Sequence, residues 1–156
     1  MSCPRCQQPL RERAVDGVPV AHCASCEGLL VKTKHTIRLV QALEKQLETA
    51  PTKDEVIEPV PHDGVTLSCP SGHTMVSSGY MGARIAIVDR CEACQVLFID
   101  GREVEPLVRQ YARTRARGDD RREHLDKEHE AMSKRVDAML RARAATKSIG
   151  GGGFGF

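Results

Sequence analysis

Up to residue 101, apolar residues fall mainly into short runs and alternating segments, a pattern that predicts β-strands. Short alternating segments flank Asp16-Gly17, the usual signal for a tight β-hairpin. Leu29–Val31 predicts a third short strand packing on that hairpin. Further along, Arg84–Arg90 and Val96–Ile99 are rich in β-branched residues and predict two more strands. Each half of this region therefore contains a small antiparallel unit.

One stretch between the two units has a helical period instead. From Thr36 to Thr49 the apolar residues recur at three- and four-residue spacing, at Ile37, Val40, Leu43 and Leu47. Thr36 can cap the start of this helix, and Ala50-Pro51 ends it. We expect a short amphipathic helix that covers the open face of the first unit.

After Leu107 the chain becomes highly charged, and its sequence pattern predicts two helices. The first runs from Glu103 to Arg117, and Gly118-Asp119-Asp120 marks a break. Asp120 and Glu123 form a capping box for a second helix that runs to about Thr146. A narrow seam runs along this second helix in alternating four- and three-residue steps, at Leu125, His129, Met132, Val136, Met139 and Arg143. The seam predicts a partner helix, self-association being one form; the alternative is a helix that folds back on the rest of the chain.

The composition excludes a large aromatic core. Only five of the 156 residues are aromatic and none is Trp. Units of this size cannot bury enough apolar surface alone and need metal or disulfide staples. The seven cysteines supply them, and their odd number, their grouping in pairs and the absence of an apolar N-terminal segment favour reduced thiolates in a cytoplasmic protein. No apolar run is long enough for a membrane span, so we expect no membrane association.

The cysteine pairs have the spacing of structural metal sites. Cys3-Pro-Arg-Cys6 and Cys23-Ala-Ser-Cys26 are two tight turns separated by the first hairpin. Two such pairs provide the four thiolates of a tetrahedral Zn²⁺ site. The alternatives are buried thiols or a redox pair. The repetition of the pattern in both halves favours zinc over either alternative. We predict that Cys3, Cys6, Cys23 and Cys26 form one zinc site.

The second unit repeats the pattern with one departure. Cys69-Pro70 matches Cys3-Pro4 and is followed downstream by Cys91-Glu-Ala-Cys94, but Gly72-His73 replaces the second cysteine of the first pair. Zinc accepts imidazole nitrogen as well as thiolate, and a loop one residue longer with Gly in it brings the ring to the metal. We predict a second zinc site formed by Cys69, His73, Cys91 and Cys94. The alternative is that His73 is only a turn residue and that the second site is degenerate or empty.

These motifs resemble a known family. Cys-Pro-x-Cys, a hairpin, Asp89-Arg90-Cys91-x-x-Cys94, an apolar run and Asp100-Gly101-Arg102-Glu103-Val104-Glu105-Pro106-Leu107 resemble bacterial zinc-ribbon proteins of the transcription factor IIB type. The likeness covers both repeats and is tighter at the C-terminal side of the second. It implies a zinc-stabilised β-hairpin module with Cys3, Cys6, Cys23, Cys26, Cys69, Cys91 and Cys94 as ligands. It implies little about function, because a fold does not fix a function.

The predicted fold class is a small metal-stabilised α+β fold with two tandem zinc ribbons, each a short antiparallel β-hairpin, a linking helix and a C-terminal helical region. The Pro-rich, polar stretch between the ribbons predicts a semi-stiff linker on which they can orient independently unless they pack together. The predicted segments are ribbon 1 at 1–34, the amphipathic helix at 35–50, the linker at 51–66, ribbon 2 at 67–101, the charged helices at 102–146 and a Gly/Phe tail at 147–156.

The charge distribution and the C-terminal tail indicate which kinds of partner the chain could bind. Residues 1–101 carry ten Lys/Arg and twelve Asp/Glu, whereas residues 102–156 carry thirteen and nine, so the ribbons are not basic as phosphate-gripping modules would be. The candidate phosphate contacts are Arg113, Arg115, Arg117, Arg121 and Arg122, although interleaved acidic residues favour a solvated face. Phe154 and Phe156 follow four glycines and suggest a docking peptide, with simple disorder as the alternative.

Three classes of function remain. The leading hypothesis is a non-catalytic adaptor that binds a protein partner through the ribbons, the C-terminal helix and the tail. The second is a nucleic-acid-binding, transcription-associated protein, and the third is a thiol redox or zinc-responsive switch. An ordinary enzyme is disfavoured, because both sites can be closed by four protein ligands and no nucleophile or phosphate-binding motif accompanies them.

Overall fold

The computed structural model describes the backbone of residues 1–149 and the side chains of residues 1–139 and 141. The chain divides into two compact units, Met1–Ala116 and Arg117–Phe156. Its elements, in chain order, are β1 (Leu10–Val15), β2 (Val18–Cys23), β3 (Leu29–Lys32), α1 (Thr36–Glu44), β4 (Val76–Gly79), β5 (Ile87–Cys91), β6 (Val96–Ile99) and α2 (Gly101–Ile149). The predicted small α+β fold with two ribbons is confirmed. No helix within residues 1–149 is long and apolar enough to cross a membrane.

The two ribbons form one sheet. Its six strands are all antiparallel and lie in the order β1-β2-β3-β6-β5-β4. The last strands of the two ribbons, β3 and β6, pair in the middle, with Leu30 opposite Phe98. Leu30 and Phe98 each stand four positions after the second cysteine of their pair, Cys26 or Cys94, so the pairing relates the two ribbons by an approximate two-fold axis through this residue pair. The ribbons are therefore not independent.

The two faces of the sheet have different coverings. Leu29 and Val31 of β3 pack in a core with residues of both helices, such as Leu39 of α1 and Leu107 of α2. Their neighbour Leu30 packs on the opposite face, among the cysteines of both pairs. Because successive strand residues point to opposite faces, the apolar runs of β3 and β6 supply both cores. The helices cover one face, and the cysteines lie on the other.

Helix α1 is shorter than predicted, and of its four predicted inner residues Val40, Leu43 and Leu47 pack in or against the core, whereas Ile37 does not. It ends at Glu44 rather than Thr49, and the next residues form tight turns in which the N–H groups of Gln46 and Leu47 bond to carbonyls three residues back. Leu39 is fully buried, whereas Ile37, predicted on the inner face, is 61 % exposed. The Thr36 hydroxyl makes no capping bond; it is buried without a hydrogen-bond partner among the described atoms.

The Pro-rich stretch is not a free tether. Ile57 is buried, and the Val60 N–H donates to the Ile85 carbonyl at 3.1 Å. Arg109 contacts the Glu55 carboxylate at 3.0 Å, and Arg113 donates to the Glu55 carbonyl at 2.7 Å. These contacts fix the stretch on the sheet and on the first turns of α2.

The predicted break at Gly118-Asp119-Asp120 is wrong, because α2 continues through it as one helix of 49 residues. Asp100 precedes the helix and caps it, because its Oδ1 accepts the Arg102 N–H at 3.1 Å. Glycine in an exposed helix costs only about 1 kcal/mol relative to alanine. Arginine and glutamate, which flank the site, are good helix formers, and this offsets the cost.

Candidate metal centres

The structure brings the first four cysteines together at one end of the sheet. Cys3 and Cys6 lie in the turn before β1, Cys23 ends β2, and Cys26 lies in the turn before β3. The Sγ atoms of Cys3 and Cys26 are 3.5 Å apart, and those of Cys6 and Cys23 are 3.4 Å apart. Cys3 and Cys23 are fully buried, whereas Cys6 and Cys26 are partly exposed.

The second cluster has the same construction and contains the histidine. His73 Nδ1 lies 3.6 Å from Cys69 Sγ, 3.3 Å from Cys94 Sγ and 3.9 Å from Cys91 Sγ. The Cys69 and Cys94 sulfurs are 3.8 Å apart. Cys69 and Cys91 are buried, but Cys94 is partly exposed and His73 is exposed. Among the described residues, the structure thus forms two groups of metal-ligating side chains, each with its ligand atoms within 4.8 Å of one another.

The separations fit tetrahedral zinc. Zn–S bonds of about 2.3 Å in a tetrahedron place two sulfurs about 3.8 Å apart, and a Zn–N bond of about 2.1 Å places nitrogen and sulfur about 3.6 Å apart. The observed 3.4–3.8 Å and 3.3–3.9 Å match these edges. All seven cysteines are free thiols, and a disulfide would need sulfurs about 2.05 Å apart. The donor set and spacing fit a metal rather than disulfides.

The two N-terminal turns differ in length. In the first, the Cys3 N–H donates to the Gln8 carbonyl; in the second, the Cys69 N–H donates to the His73 carbonyl, both at 2.8 Å. His73 therefore occupies the position of Gln8 rather than that of Cys6. The spacing between the two ligands is one residue longer, as predicted, but the hydrogen bond of the second turn closes one residue earlier. Gly72 allows this closure because its φ is +84°, which is strained for any residue with a Cβ.

Thiol ionisation is uneven within each cluster. Burial opposes ionisation of Cys69, but the backbone N–H groups of its turn and the facing Cys91 and His73 side chains lower its pKa to about 6. Burial also opposes ionisation of Cys23, whose pKa falls to about 7 through similar bonds. Burial and the neighbouring Cys3 and Cys23 thiols raise the pKa of Cys26. One thiolate forms readily in each cluster and disfavours the next, a conflict that a bound divalent cation removes.

Close packing of the Phe98 ring on Gly28 supports the first centre. Phe98 is fully buried among cysteines of both clusters. A Cβ at Gly28, between Cys26 and β3, would lie 2.5 Å from the Phe98 ring and 3.3 Å from Cys26 Sγ. Sequence reasoning missed both residues as parts of the site. A glycine directly after a ligand turn and before an apolar run is the signal that could have found the first of them.

Arg5 connects the first turn to the second ribbon. Its guanidinium pairs with Asp63 of the Pro-rich stretch and, at 3.3 Å, with Asp100, the residue that caps α2. The hydrogen bond from Arg5 lowers the pKa of Asp63. Gly101 also abuts the other turn of this centre, since a Cβ there would lie 2.4 Å from the Cys26 carbonyl oxygen. The start of α2 is thus packed against the first metal centre.

The candidate phosphate-contact arginines lie along α2, and several of them are held by other residues. Arg113 bonds Gln110 and the Glu55 carbonyl, and Arg115 pairs with Glu44 at 2.5 Å. Arg117 also has an interaction, whereas Arg121 and Arg122 are exposed. Phe154 and Phe156 lie outside the described residues. The structure therefore leaves few of these arginines open for phosphate.

Comparison with known proteins identifies the first ribbon. The family model described as transcription factor zinc-finger matches residues 2–42. This match confirms the resemblance for the first ribbon, although the likeness in sequence was tighter in the second. Searches of curated proteins and of solved structures found no match. The family match and the two ligand clusters together support a zinc-binding protein.

Proposed function

We propose that the protein is a non-catalytic adaptor in which two structural zinc ions hold a sheet that binds a partner protein. Four protein ligands close each centre, so a bound Zn²⁺ would supply cross-linking between turns and no open position for a substrate. Cys3, Cys6, Cys23 and Cys26 would hold one ion, and Cys69, His73, Cys91 and Cys94 the other.

A groove on the metal-bearing face carries this proposal. Its volume is about 1090 Å³, and both ribbons line it: Pro19, Ala21 and Leu30 from the first, and Pro70, Cys94 and Val96 from the second, with other residues around them. Such a volume is sufficient for a short peptide segment rather than for a single side chain. The groove exists only because β3 pairs with β6.

The rim of the groove is basic. Lys32 and Lys34 stand on it with one acidic residue, Glu12. Lys32 donates to the Cys94 carbonyl at 3.2 Å, whereas Lys34 has no partner among the described side chains. Charge complementarity therefore favours an acidic partner segment with apolar side chains for the floor.

The test uses the full-length protein as bait in nuclease-treated native extract, beside K34E. A specific partner should be retained by the parent and retained less by K34E, and an acidic peptide from it should bind about threefold to tenfold more weakly to the variant. The matched control is R38E, one charge reversal at an exposed position of α1 outside the groove. Equal binding by K34E and the parent would refute the groove. Nucleic acid as the main retained species, released by moderate salt, would favour the second class of function.

A version ending at Lys147 and the F154A/F156A variant test the tail in the same assay. Loss of the partner with either change would add the tail to the docking surface. Unchanged capture would remove Phe154 and Phe156 from the proposal.

The exposure of the second centre favours a zinc-responsive switch as a second candidate. Each centre has two buried cysteines, and the second differs in its exposed histidine, His73, where the first has the partly exposed Cys6. A thiolate that attacks a hydroperoxide gives a sulfenic acid, the peroxide being reduced to water; a neighbouring thiol then condenses with it to a disulfide and a second water. Sub-stoichiometric peroxide should release zinc from the second centre first. Equal release from both centres, followed with a zinc-sensitive dye in single-site variants, would oppose this candidate.

A further inference from the structure

The part of α2 that lies in the compact unit Arg117–Phe156 has an exposed apolar stripe. Leu125, Met132, Val136 and Met139 are 56 %, 67 %, 50 % and 61 % exposed. They are apolar side chains at intervals of seven, four and three residues, and with His129 they are five of the six residues of the predicted seam. The side chain of the sixth, Arg143, lies outside the described residues. We use the term seam for these five residues. Large apolar side chains that are this exposed and aligned mark an interaction site.

The seam follows the heptad of a two-stranded coiled coil. With Leu125, Met132 and Met139 at position d, His129 and Val136 fall at position a. The ion pairs of this unit do not involve the seam residues. Lys127–Glu123 and Lys134–Glu130, both at 2.7 Å, join positions f and b, and His124–Glu128, at 3.3 Å, joins positions c and g. The outer face of the helix is thus satisfied within one chain, whereas the seam is not.

Two charges that flank the seam have no partner in their own chain. Arg121 is at position g and Asp126 at the following position e, and neither pairs with any side chain among those described. Residues five apart do not face each other on one helix. In a parallel coiled coil, however, position g faces position e of the next heptad in the other chain. The two residues therefore complement a second copy of the same helix.

We propose that a second copy of this chain covers the seam in a parallel two-stranded coiled coil over residues 121–139. A β-branched residue at a, Val136, with Leu125 at d favours two strands. The other two a positions of this range, Arg122 and His129, are polar, and such residues fix the register at a cost in stability. The axis of the dimer brings Arg121 of each chain to Asp126 of its partner, which makes two symmetric ion pairs. This inference is independent of the groove.

Sedimentation equilibrium of the full-length, zinc-loaded protein from about 1 to about 300 µM tests the dimer. We expect a monomer–dimer equilibrium whose Kd rises at least about a hundredfold in M132K, because two ammonium groups would replace apolar contacts at one d layer. The matched control A131K adds the same charge one residue away, at position c, and should dimerise like the parent. A parent that stays monomeric throughout, or an M132K protein that dimerises normally, would overturn the proposal.

A charge exchange tests the orientation. R121E and D126R should each raise the dimer Kd by about threefold to tenfold, since each brings like charges together at two symmetric pairs. The double variant R121E/D126R should restore the parental Kd. An antiparallel pair sets g against g and e against e, so failure of the double variant to recover would refute the parallel arrangement. Circular dichroism should show unchanged helix content in all the monomeric variants.

Discussion

At the scale of single residues, the face that carries the two ligand clusters depends on glycines at closely packed positions. Phe98 fills the space between the clusters because Gly28 has no side chain. Gly72 closes the second ligand turn one residue early and thereby places His73 beside three thiols. Neither glycine is a ligand, yet each determines where a ligand stands.

Replacing Gly28 with alanine should destabilise the zinc-loaded protein by about 1–3 kcal/mol, the usual cost of overpacking a tight core. The new Cβ would meet the Phe98 ring at 2.5 Å, and this ring is fully buried and cannot yield easily. Urea unfolding monitored by circular dichroism measures the change. The control is G118A, where nothing lies within 4 Å and a gain of helix stability is expected. Equal stabilities of G28A and the parent would mean that Phe98 moves freely.

Replacing His73 with alanine should reduce bound zinc from about two ions to about one per chain under mild chelator competition. The second centre loses its only nitrogen ligand, and its zinc affinity should fall at least about a hundredfold. Mass spectrometry under native conditions gives the stoichiometry. H62A is the control, because His62 is exposed and belongs to neither cluster. Full occupancy in H73A would show that His73 is only a turn residue.

At the scale of elements, the first turn of α2 joins the two ribbons. Asp100 caps the helix and pairs with Arg5 beside the first centre. Glu103, 4 % exposed, accepts the Ile87 N–H of β5 at 3.2 Å. Burial, with the nearby Asp100 and Asp89 charges, raises the pKa of Glu103. At the start of the helix, a buried carboxylate with a raised pKa therefore accepts one backbone hydrogen bond from β5.

The pH dependence of stability should reveal this carboxylate. A pKa raised by folding means that Glu103 favours the folded state below its unfolded pKa and loses that contribution as pH rises through its folded pKa. We therefore expect E103Q, which keeps the acceptor oxygen, to be more stable than the parent at pH 8, and the gap to shrink towards pH 5.

Comparing the two proteins at each pH cancels the metal loss that acid causes in both. E105Q, at an exposed position on the same turn, should show no such trend. A gap between E103Q and the parent that is independent of pH would contradict the assignment. Thermal unfolding at matched zinc concentration measures all three proteins.

At the scale of the molecule, the two ribbons share a central strand pair and two cores. Leu30 and Phe98 face each other on the two-fold axis, and each core contains residues from both ribbons. Residues Met1–Ala116 therefore form one unit instead of two ribbons on a tether. The groove, which spans both ribbons, follows from the same pairing.

Calorimetry should show a single unfolding transition for Met1–Ala116, because neither ribbon can unfold without exposing the core of the other. Emptying one centre, in H73A, should lower the melting temperature of this whole transition by several degrees rather than split it. The C-terminal helix is assessed separately by its concentration dependence. Two transitions in H73A, one at the temperature of the parent, would indicate independent ribbons.

The sequence by itself determined the local features of this protein. The cysteine pairs, the Asp16-Gly17 hairpin, the short strands and the apolar seam are all written in neighbouring residues, and the structure has each of them. Spacing suffices for these features because a ligand turn, a tight hairpin or a helix face involves residues a few positions apart.

Only the tertiary structure decided how the parts combine. Pairing of β3 with β6 joins residues about 70 positions apart, and nothing in an apolar run specifies whether its free edge meets solvent, a partner or a distant strand. The same holds for the groove, for the Arg5 contacts and for the docked Pro-rich stretch. The continuity of α2 was misjudged for a related reason: glycine and two aspartates oppose a helix locally, but their small cost is offset by the favourable residues on both sides.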